Sequence, residues 1–197
     1  MRTQSEITPE VYLIRHGETE WSLSGRHTGT TDLPLTENGR NAARRLAPRL
    51  SDVDFSLVLT SPLQRARATC ELAGLGDRAQ LDPDLEEWHY GAYEGLRSDE
   101  IERLAPGWIL FKDGCPGGEG PCEVELRVDR LIARVRSVDG PVALFGHGHL
   151  FRVLGARWIG LPVSEGAHFL LGTSTLCILS HYRGAPAVKC WNAPVEP

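Results

Sequence analysis

The sequence VYLIRHGETEW, residues 11–21, joins an apolar run to a charged end. The β-branched and apolar residues from Val11 to Ile14 predict a buried β-strand. The run stops at Arg15 and His16, and Gly17 follows. A strand suited to a core therefore delivers a guanidinium and an imidazole to its carboxyl end, which indicates a site at that position.

The composition is that of an ordinary globular protein. The chain has 197 residues, of which 41% are hydrophobic and 24% charged, and this length suits one domain over residues 1–197. The net charge of −5 argues against nucleic acid or an anionic membrane as the main partner. A basic cluster in an acidic chain indicates positive charge concentrated at one site.

Neither the first ten residues nor the cysteines predict export or membrane insertion. No apolar run approaches the roughly 20 residues that span a bilayer, and the first ten residues, MRTQSEITPE, lack the apolar core of a signal peptide. The five cysteines have no CxxC spacing, which favours free thiols over disulfides or a zinc site. We therefore expect a cytoplasmic protein.

Strand and helix patterns alternate along the chain. Further strands are predicted at residues 57–60, 142–145 and 175–180, with a turn at 183–184 and a last short strand that reaches Trp191. Predicted helices cover residues 36–50 (capped by Thr36 and interrupted near Pro48), 61–72 (capped by Ser61), 123–138 and 149–159. This alternation predicts an α/β fold, a three-layer α/β/α arrangement around a mostly parallel central sheet.

Basic residues follow three of the predicted strands. Arg15 and His16 end the first strand, Arg65 lies in the helix after the second, and His147 follows the third. Ligands of parallel sheets bind outside the carboxyl ends of the strands. Clustered cations repel one another unless an anion offsets them, and guanidinium groups match phosphate oxygens bidentately. Gly17 and the amides of helix N-termini would let the backbone approach such a ligand.

Histidine at such a site can attack phosphorus. A neutral imidazole is nucleophilic, and a backbone carbonyl near Gly17 could fix its tautomer. Flanking arginines would lower the pKa of His16 and neutralise charge in the transition state, so the reaction needs no metal or cofactor. In LEEWHYGAYEGL, residues 85–96, Glu86 and Glu87 offer a carboxyl to protonate the leaving group and then activate water.

Four segments together resemble the histidine phosphatase superfamily, in its phosphoglycerate mutase-like branch. They are LIRHGETEW, TSPLQRARATC, EEWHYGAYEGL and LFGHGHLFRVL. The resemblance implies a phosphoglycerate mutase-like fold, His16 as the phosphohistidine nucleophile and Glu87 as the acid/base. It also implies that Arg15, Arg65 and His147 hold the phosphoryl group. A homodimer is compatible with the resemblance, although the sequence does not fix the oligomeric state.

Departures from the mutase pattern favour a phosphatase. The segment 96–118 is short and has no paired arginines, and Ser22 and His149 stand where many mutases have Asn. GRHTGTTDLPLT and KDGCPGGE resemble instead a small phosphatase subgroup with sedoheptulose-bisphosphatase-like and mycobacterial-type acid phosphatases. We therefore expect a metal-independent phosphomonoesterase for a small phosphorylated metabolite such as a sugar phosphate or bisphosphate. Its expected substrate-binding residues are Ser22, Arg26, His27, Thr28, Gly29, Tyr90 and His149.

Other interpretations stay open at this level. The RHG stretch could form a salt-bridge cluster at a strand end, and Glu87 could be an ordinary loop carboxylate. His147 and His149 could pair on a metal, although no third residue at ligand-like spacing accompanies them. A cofactor-dependent phosphoglycerate mutase and a non-catalytic phosphate-binding module are the alternative functions.

Overall fold

A computed structural model describes residues 9–194 and contains a six-stranded sheet in the order β3-β2-β4-β1-β5-β6. The strands are β1 (Val11–Arg15), β2 (Leu57–Thr60), β3 (Ala79–Leu81), β4 (Val142–Gly146), β5 (Leu176–Tyr182) and β6 (Ala185–Ala193). Strands β3, β2, β4 and β1 are parallel to one another, and β5 and β6 continue the sheet antiparallel. The predicted mostly parallel sheet is confirmed.

The α-helices occupy both faces of this sheet. They are α1 (Glu20–Ser24), α2 (Glu37–Arg44), α3 (Ala47–Leu50), α4 (Gln64–Leu72), α5 (Ser98–Leu104), α6 (Leu110–Asp113), α7 (Pro121–Arg136) and α8 (Gly148–Trp158). Short 3₁₀ segments lie at Gly76–Arg78, Pro83–Leu85, Gly91–Tyr93 and Val163–His168. In α7 the apolar residues recur at helical spacing and form its buried side.

The alternation of side chains in β4 shows why the fold has three layers. Val142 and Leu144 pack with the buried side chains of α7 and α8, whereas Ala143 and Phe145 pack with those of α3 and α4. Successive side chains of a strand point to opposite faces, so a fully buried β4 requires helices on both. The predicted α/β/α arrangement is therefore confirmed.

The local predictions differ in their outcome. The helix predicted over residues 36–50 is interrupted near Pro48 as expected, and it forms two helices, α2 and α3, with Pro48 at the start of the second. Ser61 does not cap α4, which begins at Gln64. Strand β3 was missed because it has three residues and is largely exposed, so it lacks an apolar run.

The predictions on membrane insertion and on a signal peptide concern different parts of the chain. No helix within residues 9–194 is long and apolar enough to cross a membrane. Residues 1–8, on which most of the signal-peptide prediction depends, lie outside the described residues. The single domain over residues 1–197 stays a prediction.

Candidate active site

A cavity of about 210 Å³ opens at the carboxyl ends of β1 and β4. It is lined by Arg15, His16, Ser22, Gly25, Arg26, His27, Thr28, Glu87, Tyr90, Ser98, Gly148, His149, Arg152 and Leu171. Nine of the predicted site residues therefore line one cavity: Arg15, His16, Ser22, Arg26, His27, Thr28, Glu87, Tyr90 and His149. A tenth, His147, lies against His16. Arg65 and Gly29 lie behind this lining.

His16 is held in one tautomer at the end of β1. Its Nδ1 lies 2.7 Å from the carbonyl oxygen of Gly17, and because a carbonyl can only accept, Nδ1 carries the proton. Burial, then the charges of Arg15 and Arg65, hold the pKa of His16 well below its ordinary value. The ring is therefore neutral at neutral pH, and its Nε2 lone pair is available.

Arg15 lies across the start of α8. Its Nη1 donates to the carbonyl of Leu171, and its buried Nε–H has no hydrogen-bond partner within residues 9–194. A Cβ on Gly148 would come within 3.1 Å of the guanidinium carbon, so this position favours glycine. A buried donor without a partner is costly, which suits an anion in the cavity.

Glu87 occupies the N-terminus of α8. Its Oε2 accepts from the backbone N–H of His149 at 3.0 Å, and its Oε1 accepts from those of Leu150 at 2.9 Å and Trp88 at 3.0 Å. These bonds fix the carboxyl group at the cavity wall. Helix N-terminal amides were predicted to meet the ligand, but the backbone N–H groups of His149 and Leu150 at the start of α8 hold Glu87 instead.

Arg65 and His147 form a fully buried pair next to His16. Arg65 Nε donates to His147 Nδ1 at 3.2 Å, so His147 Nε2 carries the proton that faces Ser61 Oγ at 2.8 Å. Burial, then the charge of Arg65, lowers the pKa of His147 well below its ordinary value. The other two nitrogen atoms of the Arg65 guanidinium also donate: Nη1 to the carbonyl of Thr31, and Nη2 to those of Thr28 and Gly29.

Gly17 serves a different purpose from the one that the sequence predicted. A Cβ at this residue would lie 2.5 Å from the carbonyl oxygen of Gly39, and a Cβ at Gly39 would lie 2.2 Å from that of Glu18. The two glycines thus let α2 contact the backbone directly behind His16. Gly17 was predicted to let the backbone approach a ligand. It does not line the cavity, and its close approach is to the backbone of Gly39 instead.

Three side chains form a surface that we call the distal wall: His27, Tyr90 and His149. The Tyr90 hydroxyl lies 2.5 Å from His149 Nδ1. Burial and Glu87 raise the pKa of Tyr90 well above its ordinary value, and burial and Arg152 lower that of His149 well below its own. Between these two neutral groups the phenol O–H is the stronger donor and the imidazole nitrogen the stronger acceptor, so the phenol donates and His149 Nε2 carries the ring proton.

His27 completes this wall. Its Nδ1 donates to the carbonyl of Leu96 at 2.9 Å, which leaves Nε2 as the free ring nitrogen. The rings of His27 and His149 are nearly parallel, at 20° with centroids 5.8 Å apart, and Tyr90 packs edge-on against His27 at 4.9 Å. Two imidazoles and one phenol thus face the cavity as a rigid aromatic group.

The other predicted binding residues are partly occupied by protein contacts. Ser22 Oγ closes the capping box of α1 with Thr19. Arg26 donates to the carbonyl of Gly95 at 2.6 Å and lies 3.7 Å from Glu100. Gly29 does not line the cavity, and its N–H donates to Glu94. These contacts give them a structural part as well as their place near the cavity.

Arg152 is a cavity residue that the sequence analysis missed. Its guanidinium donates to the carbonyls of Gly166 and Ala167 and lies 4.6 Å from the ring centroid of Phe111. The signal was its spacing, one helical turn after His149, which puts both on the same side of α8. Among residues 9–194, no three His, Cys, Asp or Glu residues are grouped to hold a metal.

Comparison with known proteins identifies the family. The model of the histidine phosphatase superfamily (branch 1) matches residues 11–194, so the chain belongs to this superfamily. An acid phosphatase from Mycobacterium tuberculosis is 38% identical over 176 residues, 87% of this chain and 86% of that protein. Sedoheptulose 1,7-bisphosphatase from Saccharomyces cerevisiae is 36% identical over 191 residues, 81% and 70% of the two chains.

Other matches extend the same comparison. A probable phosphoglycerate mutase from Photorhabdus laumondii is 34% identical over 194 residues, 92% of this chain and 89% of that protein. The structure of an open reading frame product from Mycobacterium tuberculosis superposes with a TM-score of 0.90 at 34% identity, covering 95% of this chain and 99% of that chain. The predicted family, its phosphoglycerate mutase-like fold and the resemblance to both named phosphatases are confirmed.

Proposed function

We propose that this protein is a phosphatase, a metal-independent phosphomonoesterase that hydrolyses a small phosphorylated metabolite through a phosphohistidine at His16. The observation that carries the proposal is the bond from His16 Nδ1 to the carbonyl of Gly17. It leaves Nε2 unprotonated and free in a cavity whose nearest charges are guanidinium groups. Phosphatases among the relatives of this chain support the same reaction class.

The reaction proceeds in two steps at one cavity. The Nε2 atom of His16 bonds to phosphorus while the bond from phosphorus to the leaving oxygen breaks, and the Glu87 carboxyl gives its proton to that oxygen. Water then attacks phosphorus as the Glu87 carboxylate takes a proton from it, and the N–P bond breaks to release phosphate. The Nε–H of Arg15, which has no partner among the described residues, is a donor for the phosphoryl oxygens.

Arg65 and His147 have a supporting role in this proposal. Direct binding of the phosphoryl group by either residue stays a prediction, because their hydrogen bonds go to protein groups. The positive charge of Arg65 contributes to the low pKa of His16. Arg65 thus favours the neutral nucleophile and the capture of an anion beside it, and His147 is the neutral ring to which the Arg65 Nε–H donates.

Hydrolysis is favoured over a mutase reaction by the segment that connects Leu96 to Gly118. A mutase must hold a substrate with a second anionic group while it is rephosphorylated. Arg97 and Arg103 lie within 3.4 Å of Asp99, and Lys112 is exposed. None of these three cations lines the cavity, so this segment supplies no second anion site.

The distal wall favours a substrate with hydroxyl groups at its unreactive end. His149 Nε2–H is a donor, and in the imidazole tautomer set by the carbonyl of Leu96 the Nε2 atom of His27 is an acceptor. A hydroxyl group can both donate and accept, whereas a second phosphate or carboxylate can only accept. We therefore propose a phosphorylated polyol or sugar as the substrate class.

The compartment and the partners belong to the same proposal. Residues 70, 115, 122, 177 and 190 are free cysteines, as suits a cytoplasmic protein. The net charge of −5 fits a small metabolite better than nucleic acid. The homodimer stays a prediction that rests on the family resemblance.

The test combines substrate profiling with trapping of the intermediate. Purified protein is assayed with glycerol 3-phosphate, propyl phosphate and 3-phosphoglycerate, each with and without EDTA, and rapid-quench mass spectrometry follows phosphate on His16. We expect EDTA-insensitive phosphate release, a phosphohistidine adduct, and a preference for glycerol 3-phosphate over propyl phosphate. Strong inhibition by EDTA, or the absence of an adduct during turnover, would contradict the mechanism.

The same assays separate the alternatives. Isomerisation of 3-phosphoglycerate well above phosphate release would assign a mutase. Binding of phosphate without turnover of any ester between pH 4 and 8 would assign a non-catalytic binding module. Equal turnover of glycerol 3-phosphate and propyl phosphate would contradict only the proposed role of the distal wall.

A further inference from the structure

The loop that carries Glu87 has no regular structure of its own. Residues 86–90 follow the 3₁₀ segment Pro83–Leu85 and belong to no helix or strand. The carbonyl groups of Glu86, Glu87, His89 and Tyr90 nevertheless accept hydrogen bonds from other groups of the protein. The position of the Glu87 carboxyl therefore depends on what supplies those donors.

A buried arginine in the middle of α7 supplies two of these donors, those to Glu86 and Glu87. Arg127 is 7% exposed. Its Nη1 donates to the carbonyls of Asp84 at 3.1 Å and Glu86 at 2.6 Å, and its Nη2 donates to the carbonyl of Glu87 at 3.1 Å. One planar guanidinium thus spans the chain on both sides of Glu86.

Glu119 completes the arrangement from the other side. Its carboxylate accepts from Arg127 Nε at 2.7 Å and Nη2 at 2.8 Å, and from the backbone N–H of His89 at 2.9 Å. Its carbonyl accepts from Trp88 Nε1, and its N–H donates to the carbonyl of His89. Burial alone would raise the pKa of Glu119, but the hydrogen bond and charge of Arg127 hold it below its ordinary value.

We infer that Arg127, together with Glu119, is the positioning residue that holds the Glu87 carboxyl where the leaving group needs its proton. This inference rests on the proposed function, since it assumes that Glu87 is the acid. Arg127 does not line the cavity, so it acts only through the loop. Its loss would let the chain at residues 86–89 move, and misplacement of about 1 Å is costly to catalysis.

The same helix offers a matched control. Arg130 lies one turn after Arg127 and binds the carboxylate of Asp84 through two hydrogen bonds, of 2.6 and 2.9 Å. Its side chain is 61% exposed, and it contacts none of residues 86–89 through a hydrogen bond within the described chain. Exposed pairs of this kind contribute little to stability, so Arg130→Met tests the loss of an arginine from α7 without loss of the loop contacts.

The test uses leaving groups of different basicity. Departure of an alkoxide from glycerol 3-phosphate requires the acid, whereas departure of p-nitrophenolate does not. We expect Arg127→Met to lower kcat/KM for glycerol 3-phosphate about 100-fold and that for p-nitrophenyl phosphate less than about threefold. Arg127→Lys and Glu119→Gln should give the same selective loss with a smaller fold-change. Arg130→Met should leave the ratio of the kcat/KM values for the two substrates unchanged.

The reference for this signature is Glu87→Gln. If Glu87→Gln lacks the selective loss on glycerol 3-phosphate, the assignment of Glu87 as the acid fails. A second outcome is that Glu87→Gln shows the selective loss on glycerol 3-phosphate while Arg127→Lys and Glu119→Gln both lower kcat/KM for the two substrates equally, or leave it unchanged. In that case only the positioning role fails. If Arg127 had a merely structural role, its substitution would lower kcat/KM for both substrates by the same factor. The two conservative variants decide the question even where Arg127→Met does not fold.

Discussion

The two halves of the cavity are built in different ways. Arg15, His16, Arg65 and His147, which we call the strand-end group, come from the ends of β1 and β4 and the start of α4. The distal wall instead combines His27 and Tyr90, which lie in loops, with the second residue of α8. The sheet therefore fixes the site of reaction, whereas loops form the surface that selects the rest of the substrate.

The sharpest way to break this comparison is removal of the nucleophile. His16→Ala should lower kcat at least about 10⁴-fold and abolish the phosphohistidine adduct, since the residual activity of an enzyme without its nucleophile is small. His168→Ala is the control, because His168 is 77% exposed and lies 3.5 Å from Glu165, away from the cavity lining. An active His16→Ala variant would remove the distinction between the two halves.

The strand-end group could be predicted from sequence because basic residues follow three apolar runs, two of them directly and the third in the helix after the strand. Parallel strands bring such ends together, so the positions follow from topology alone. The contacts behind them could not be predicted. Ser61 has the sequence of a helix cap, yet its hydroxyl faces His147, and Gly17 has the sequence of a ligand loop, yet it contacts Gly39.

The distal wall was predicted only as a set of residues. Nothing in the spacing of His27, Tyr90 and His149 indicates that they stack, nor which ring nitrogen is free. Tautomers depend on contacts such as that between His27 and the carbonyl of Leu96, which lies 69 residues away. Long-range contacts of this kind leave no periodic signal in the sequence.

A second prediction concerns stability against pH. The pKa values of His16, His147 and His149 are all lowered in the folded protein, so these rings stay neutral while the unfolded chain takes up protons below about pH 6.5. The free energy of unfolding should therefore fall as pH falls from 7 to 5, by up to about 1.4 kcal/mol per pH unit for each histidine. Urea denaturation at several pH values, without phosphate, measures this slope.

Single variants assign this slope to the two halves. His16→Ala and His149→Phe should each flatten it by the share of one histidine. Equal slopes in all proteins would mean that the histidines of the cavity take up protons as readily in the folded chain.

A third prediction tests the close approach behind the strand-end group. Gly17→Ala places a Cβ 2.5 Å from the carbonyl oxygen of Gly39, so either α2 or the backbone beside His16 must move. We expect a loss of about 1–3 kcal/mol in the free energy of unfolding, as for other overpacked sites, together with lower kcat. Gly120→Ala is the control, since its Cβ would meet only Glu123 at 3.4 Å. Unchanged stability in Gly17→Ala would show that the two segments need no such contact.

The smallest expected effect belongs to the distal wall and sharpens the comparison most. His149→Phe keeps an aromatic ring but removes the Nε2–H donor, and Tyr90→Phe removes the phenol that fixes the tautomer of His149. Loss of one or two hydrogen bonds should lower the preference for glycerol 3-phosphate over propyl phosphate about three- to tenfold. The readout is the ratio of kcat/KM values, because a general loss of activity cancels in it. An unchanged ratio in His149→Phe would mean that the distal wall packs against the substrate without recognising its hydroxyl groups.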